Sequence, residues 1–304
     1  MDRSKLLTVC GMTVFLAACG GDGGLASSGP PPSPPGVTYT KLADMTGDRT
    51  FQTAGVTYDP TAQGFANTSA QAFGSGAQVA YNAATDSYTL SAAGATTATF
   101  APSNLVLPQP APNTVQYRIR SNTNAPTDVL TLMVPRSANG VALSYTLIGT
   151  WATNLASGTP TYRIGIGGAP TQASDMPKTG SASYSVGVGG AANENGTSYD
   201  LGPNSTGTFT ANFGTSSVST TLNLIGVQGA NTPVSFGSFT GTGTISSTGP
   251  GFTGTFSGTA YNAFPVSGLL SGAFFGPQAA EMGYGYTLSA GGFSAVGAVA
   301  GAKQ

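Results

Sequence analysis

From Ser137 onward the chain alternates with a period of two. Tyr145, Leu147, Gly149 and Trp151 fall opposite Ser144, Thr146, Ile148 and Thr150, and Tyr184, Val186 and Val188 fall opposite Ser183, Ser185 and Gly187. Phe209, Ala211 and Phe213 continue the rhythm, followed by Val218, Leu222 and Leu224, then Phe239 and Ile245, then Phe252 and Phe256, each set against Thr, Ser or Asn. Side chains on a strand point alternately to its two faces, so this pattern predicts half-buried strands, about eight in succession. Short strands at near-regular spacing predict an up-and-down barrel or a sandwich. Closure into a barrel would remove sheet edges that so few charges could otherwise protect, and in-strand glycines such as Gly241, Gly243 and Gly254 suit its curvature.

The earlier half has the same texture with more interruptions. Gln78 to Tyr81, Ser87 to Leu90, Thr114 to Arg120 and Asp128 to Val134 read as strands, with Val115, Tyr117 and Ile119 on one face against Gln116, Arg118 and Arg120 on the other. Pro102, Pro108, Pro110 and Pro112 predict a long surface connection from Ala101 to Asn113. The expected organisation is a small β domain over 38–136 followed by a barrel over 137–304.

The amino terminus reads as a processing signal. Arg3 and Lys5 form a basic start, Leu6 to Phe15 an apolar run, and Leu16-Ala17-Ala18-Cys19 follows. The apolar run is too short for a membrane-spanning helix, which needs about 20 residues. The four-residue motif resembles the lipobox of bacterial lipoproteins, which implies removal of residues 1–18 and lipidation of Cys19. Gly20 after that cysteine, in place of Asp, points to the outer membrane. Residues 19–37 are Gly, Ser and Pro with little to bury, as expected of a tether from lipid to fold.

Composition narrows the chemistry. Only 7% of the 304 residues are charged, net charge is −1, and Gly supplies 45 positions. No basic patch suggests nucleic acid as a partner. Histidine is absent from the sequence, which excludes Ser-His-Asp and Cys-His machinery, His-dependent zinc motifs and His-ligated haem. The two cysteines, Cys10 and Cys19, both precede the folded part, so no disulfide is expected there. Nucleophile elbows, phosphate loops, dinucleotide fingerprints and calcium loops do not occur in the sequence. The expectation is a non-enzyme with no cofactor, no metal and no catalytic residues.

The carboxyl-terminal run Ser267 to Lys303 resembles the closing hairpin of the transferrin-binding protein B β-barrel. Gly272, Phe274, Phe275, Gly276, Pro277, Ala280 and Glu281 are the matching positions, with Phe275 where the family usually has Tyr. Thr179 to Ser185 and Thr206 to Phe213 resemble earlier strands of that barrel, with Asn212 in place of a common Asp, and Tyr39 to Tyr58 resembles the start of short barrel lipoproteins. The resemblance implies an all-β protein: a small amino-terminal handle-like domain, then a roughly eight-stranded antiparallel barrel. It also implies a surface-exposed lipoprotein, delivered by a dedicated translocator, that binds a protein or nutrient carrier and works with an outer-membrane receptor in metal or iron acquisition. Full-length members carry two lobes and this chain has room for one. Its loops lack the charges of that specialised recognition, so transferrin itself is not the expected ligand.

Gly276 and Pro277 predict a turn, with Ala279 to Met282 completing a helical turn where Glu281 caps the barrel end or pairs with Lys or Arg. Trp151 reads as a packing residue of the barrel or an interface. Asp175, Glu194 and Asp200 are scattered and read as solvated loop charges. Ligand contacts are expected on loops, with Asn193 to Ser205 and Gln228 to Pro233 as candidates and no single binding residue named. Two further functions fit the same pattern: an envelope-structural or shielding lipoprotein without a ligand, and a small-molecule carrier using the barrel lumen.

Overall fold

The computed structural model describes residues 37–304 apart from 112, 230, 258, 259 and 263. The expected signal segment, Cys19 and the tether up to residue 36 lie outside the described residues. Among the described residues, every regular element longer than a single 3-10 turn is a strand.

Ten strands precede the barrel: β1 (Arg49–Phe51), β2 (Ala54–Thr61), β3 (Gly64–Gln71), β4 (Gln78–Asn82), β5 (Ser87–Ser91), β6 (Ala98–Phe100), β7 (Thr114–Arg120), β8 (Pro126–Met133), β9 (Thr146–Thr153) and β10 (Thr161–Gly168). They form a four-stranded sheet in the order β1-β4-β5-β6 and a six-stranded sheet in the order β3-β2-β10-β9-β8-β7. The expected division at 136/137 falls between β8 and β9, yet these two pair side by side, with Leu130 opposite Trp151. Strand β10 pairs in turn with β2, Tyr162 opposite Tyr58. The alternation around Trp151 marks a strand correctly, but which strand it pairs with depends on residues far away in sequence.

The barrel itself starts at Ser181. Its strands are β11 (Ser181–Glu194), β12 (Thr197–Leu201), β13 (Thr206–Asn212), β14 (Ser217–Val227), β15 (Val234–Ile245) and β16 (Gly251–Phe256). A two-residue-armed hairpin follows, β17 (Ala260–Tyr261) and β18 (Phe264–Pro265), then β19 (Ser267–Phe275), β20 (Glu281–Ala290) and β21 (Phe293–Lys303). The circle closes because β11 pairs with β13 at its start and with β21 from Tyr184 to Glu194. Leaving aside the short hairpin and β12, which rides on one end of β11 and β14, the closed ring is antiparallel and eight-stranded, as expected.

The apolar positions of the alternation point into the barrel. Phe209, Phe252, Phe274 and Tyr284 meet with ring centroids 5.1–6.3 Å apart, and the hydroxyls of Tyr284 and Thr220 are 2.7 Å apart. Each such buried ring contributes about 1.5–3 kcal/mol of burial. The opposite positions, such as Ser219, Thr240, Thr242, Thr253 and Thr255, are exposed. Membrane-spanning barrels carry the reverse arrangement, apolar outside and polar inside. The lumen is a packed core, which removes the basis for a carrier that uses it.

The six-stranded sheet is a middle layer. On one face Leu130, Leu132 and Trp151 pack against Leu90, Ala98 and Phe100 of the four-stranded sheet. On the other, Val56, Ile148, Ile164 and Ile166 pack against Ala273, Phe275, Val296 and Ala300 on the barrel wall. Trp151 is therefore core between the two amino-terminal sheets, and its indole N–H donates to Asp128 at 3.3 Å. Gly283 and Gly285 face outward on β20, where a Cβ would lie 2.6 Å from Ile166 and 3.2 Å from Val56. Their missing side chains let the sheet lie flat on the barrel.

Glu281 ends that outward row. It is 6% exposed, and its carboxylate accepts the Ser144 N–H at 2.6 Å, the Tyr145 N–H at 2.9 Å and the Thr146 hydroxyl at 2.9 Å. The expected cap or Lys/Arg pair is thus replaced by a clasp on the backbone leading into β9. Nor does Ala279 to Met282 form a helical turn: Gln278 and Ala279 adopt φ of 50° and 57°, in the left-handed region, and β20 begins at Glu281.

Two outcomes follow. Glu281→Ala leaves two partly buried N–H groups and the buried Thr146 hydroxyl without their acceptor and should lower unfolding free energy by about 3 kcal/mol, with Glu281→Gln costing less, as read from urea midpoints. Burial raises the pKa of Tyr58, Tyr88, Tyr184, Tyr284 and Tyr286, and pushes Tyr117 up to about 12. The folded state thus holds protons that the unfolded chain releases above about pH 10. The urea midpoint should be insensitive to these groups below about pH 10 and fall as pH rises past it.

Candidate functional site

At the barrel end remote from Glu281, three connections and a hairpin converge. They are the β11–β12–β13 segment, the β14–β15 connection, the β20–β21 turn and the β17–β18 hairpin. Both candidate loops lie here. The first, Asn193 to Ser205, is more ordered than a loop, because β12 pairs with β11 (Ala192 opposite Tyr199) and with β14 (Asp200 opposite Val227). The second, Gln228 to Pro233, is a true connection, with the Asn231 N–H donating to the Gln228 carbonyl at 3.0 Å.

An aromatic column caps the barrel beneath these segments. Tyr199 meets Phe236 edge-on at 5.2 Å, Phe236 meets Phe293 at 5.2 Å, and Phe293 stacks on Phe239 at 5.6 Å. Tyr261 lies over Phe293 at 4.7 Å, and its hydroxyl donates to the Glu194 carboxylate. Burial, followed by that hydrogen bond, pushes the Tyr261 pKa up to about 12. This contact pins the hairpin across the barrel mouth. On the other arm Phe264 is 53% exposed, and its ring rests on Gly291, where a Cβ would come within 2.6 Å.

The amino-terminal half contributes to the same rim. The tip of the β2–β3 hairpin reaches it through the Phe65 N–H, which donates to Ser294 Oγ at 3.1 Å. Gly196 in turn sits under the Ala62 carbonyl. Ala62 and Gln63 are exposed beside Asn195 and Gly196. The resulting surface is polar and sparsely charged, with Asp200 exposed and one half-exposed aromatic ring, a composition suited to contact with another protein.

The acidic residues do not converge. Glu194 is tied to Tyr261 and Asp200 is exposed at this end. Asp175 lies at the opposite end, where it accepts the Tyr39 hydroxyl and the Gln278 N–H, both at 2.9 Å. It is a latch between the chain before β1 and the turn before Glu281, not the solvated charge expected. Among the described residues no group of three His, Cys, Asp or Glu side chains is placed to hold a metal. The period-two pattern does not mark Tyr261 or Phe264 as site residues. The signal available was Tyr-Asn-Ala-Phe-Pro, two aromatics around a turn that breaks the period-two rhythm after Phe256.

Residues 176–304 match the family described as C-lobe and N-lobe beta barrels of Tf-binding protein B. Among solved structures, transferrin binding protein B of serogroup B Neisseria meningitidis is 20% identical over 82% of this chain and 43% of its own, with a TM-score of 0.45. A double mutant of the Haemophilus parasuis protein is 20% identical over 75% of this chain and 50% of its own, TM-score 0.43. The N-lobe of lactoferrin binding protein B from Moraxella bovis is 15% identical over 62% and 79%, TM-score 0.30. The chain spans about half the length of the transferrin binding protein B structures. No curated protein sequence matches it.

If Phe264 is held for contact and not for packing, Phe264→Ala should leave the thermal midpoint nearly unchanged, within about 0.5 kcal/mol of stability. Phe293→Ala, in the buried column, should cost about 3–5 kcal/mol in the same denaturation series.

Proposed function

We propose that this chain, whose residues 176–304 form a barrel of the transferrin-binding protein B type, is a lipoprotein held in the outer membrane by lipid on Cys19 and exposed at the cell surface, where it binds a protein ligand. The observation that carries this reading is the composite rim: barrel connections and the β2–β3 tip meet in one surface, with Phe264 half-exposed on a hairpin pinned by Tyr261 and Glu194. Strands hold such a surface rigid while the connections carry recognition. The similar proteins named above support a macromolecular ligand, an iron-carrying protein being the first to offer. A dedicated translocator and a membrane receptor would complete the assembly. The tether over 19–37 would set the rim away from the membrane.

A second reading is an envelope-shielding lipoprotein without a ligand. The uncharged Ser and Thr wall of β13 to β16 favours it, since such a surface is hydrated without attracting charged partners.

The deciding experiment combines palmitate labelling of wild type and Cys19→Ala with protease treatment of intact cells, then binding of the purified chain to iron-loaded carrier proteins. Label lost in the variant, cleavage on intact cells, and binding weakened about tenfold or more by Phe264→Ala are the expected results. Labelled protein fully protected from protease would turn the reading to the periplasmic face. An unlabelled wild type would remove the anchor, and cleavage at the surface with no carrier bound would favour shielding.

A further inference from the structure

Away from the rim, the two amino-terminal sheets enclose a cleft with unusual contents. Its floor is backbone at Gly55 and Gly165, its walls carry Thr53, Ser75 and Ala77, and its volume is about 150 Å³. A narrower extension of about 30 Å³ runs on between the sheets toward Trp151. Arg163 lines both parts.

Arg163 is half-buried and sits over the Trp151 ring, its guanidinium carbon 5.3 Å from the centroid. Its hydrogen bond goes to a neutral group, Nη1 donating to Thr153 Oγ1 at 3.1 Å. Neither Asp59 nor Asp128 is hydrogen-bonded to it: Asp59 accepts from Asn67 at 2.8 Å and Asp128 from the Trp151 indole. Burial lowers the pKa of Arg163, partly opposed by Asp59 at longer range. Half in the cleft and half in solvent, this guanidinium keeps donors that no protein anion takes. It is also a fork of donors shaped for a carboxylate or phosphate. An aromatic plane beneath it fixes the fork's orientation.

We propose that this cleft binds a small oxyanion, a carboxylate or a phosphate of roughly six to eight non-hydrogen atoms at most, paired with Arg163. A cavity of this size accommodates a ligand on the scale of benzene. The Ser75 hydroxyl on the cleft wall can add a donor, the Thr53 hydroxyl being committed to the Ala77 carbonyl at 2.6 Å, and the side-chain-free glycine floor leaves the ligand room. The site lies between the two amino-terminal sheets and is separate from the rim, so it stands or falls independently of protein binding there.

Trp151 is the single tryptophan of the chain, so its emission reports the site directly. The full chain is titrated with inorganic phosphate and, separately, with succinate, at ionic strength held constant with sodium chloride, while emission and melting temperature are followed. A saturable change with one of the two, absent with chloride alone, is expected, and which probe saturates identifies the source of the anion. Arg163→Gln should abolish it, and Arg163→Lys, which keeps the charge but loses the fork, should weaken it about fivefold or more. Arg136→Gln, on an exposed turn, should leave it unchanged. If Arg163→Gln fails to fold, as judged by near-ultraviolet dichroism, the lysine variant decides. The proposal is overturned if neither emission nor melting temperature moves up to about 50 mM of either probe, or if Arg163→Lys binds as the wild type does.

Discussion

The carboxylate of Glu281 is the point on which the two halves of this protein are registered. It begins β20 at the foot of the barrel and collects two backbone N–H groups and a hydroxyl from Ser144, Tyr145 and Thr146. A buried carboxylate is tolerated because three donors replace its water. Once β9 is held there, Gly283 and Gly285 let the six-stranded sheet lie along the same barrel strand, and the β2–β3 tip arrives at Ser294 on the far end. The turn before Glu281 bears strain for this: Gln278 and Ala279 are both left-handed. They are held there by the bond from the Gln278 N–H to Asp175 and by the Tyr184 hydroxyl, which donates to the Ala279 carbonyl at 2.7 Å.

A barrel filled in this way has consequences for function. With Phe209, Phe252, Phe274 and Tyr284 packed across the lumen, the interior supplies rigidity and leaves little space for cargo. Its outer wall is partly covered by the middle sheet and otherwise lined with Thr and Ser. The proposed binding surfaces are therefore the rim where the strands end and the cleft between the amino-terminal sheets. These two places differ in character: one is broad and polar with an exposed aromatic ring, the other narrow and lined by the Arg163 cation.

Much of the barrel was legible beforehand. Phe209, Ala211, Phe213, Val218, Leu222, Leu224, Phe239, Ile245, Phe252 and Phe256 all point inward as their alternation requires, because a strand with one wet face needs period-two burial. Strand β7 matches its expected bounds. The motif from Gly272 to Glu281 was recognisable as a pattern, but its reason was not. Phe274 faces the lumen, Phe275 faces the middle sheet, and Glu281 serves a backbone more than a hundred residues earlier in the chain. Asp175 and Trp151 were likewise visible as residues with their partners hidden, since those partners come from β-strands or turns distant in sequence.

Local alternation, turn residues and composition are short-range properties, so the sequence by itself determined that the chain is built of strands, which face of most of them is apolar, and which catalytic chemistries lack their residues. Strand pairing is a long-range property. That β9 and β10 join the sheet of β2 and β8 and not the barrel, that β11 closes on β21, and that Tyr261, Phe264 and Arg163 stand where a partner could meet them were decided only in the tertiary structure. The backbone hydrogen bonds of a sheet are the same for any sequence, and the choice among possible partners falls to packing between faces that no local window contains.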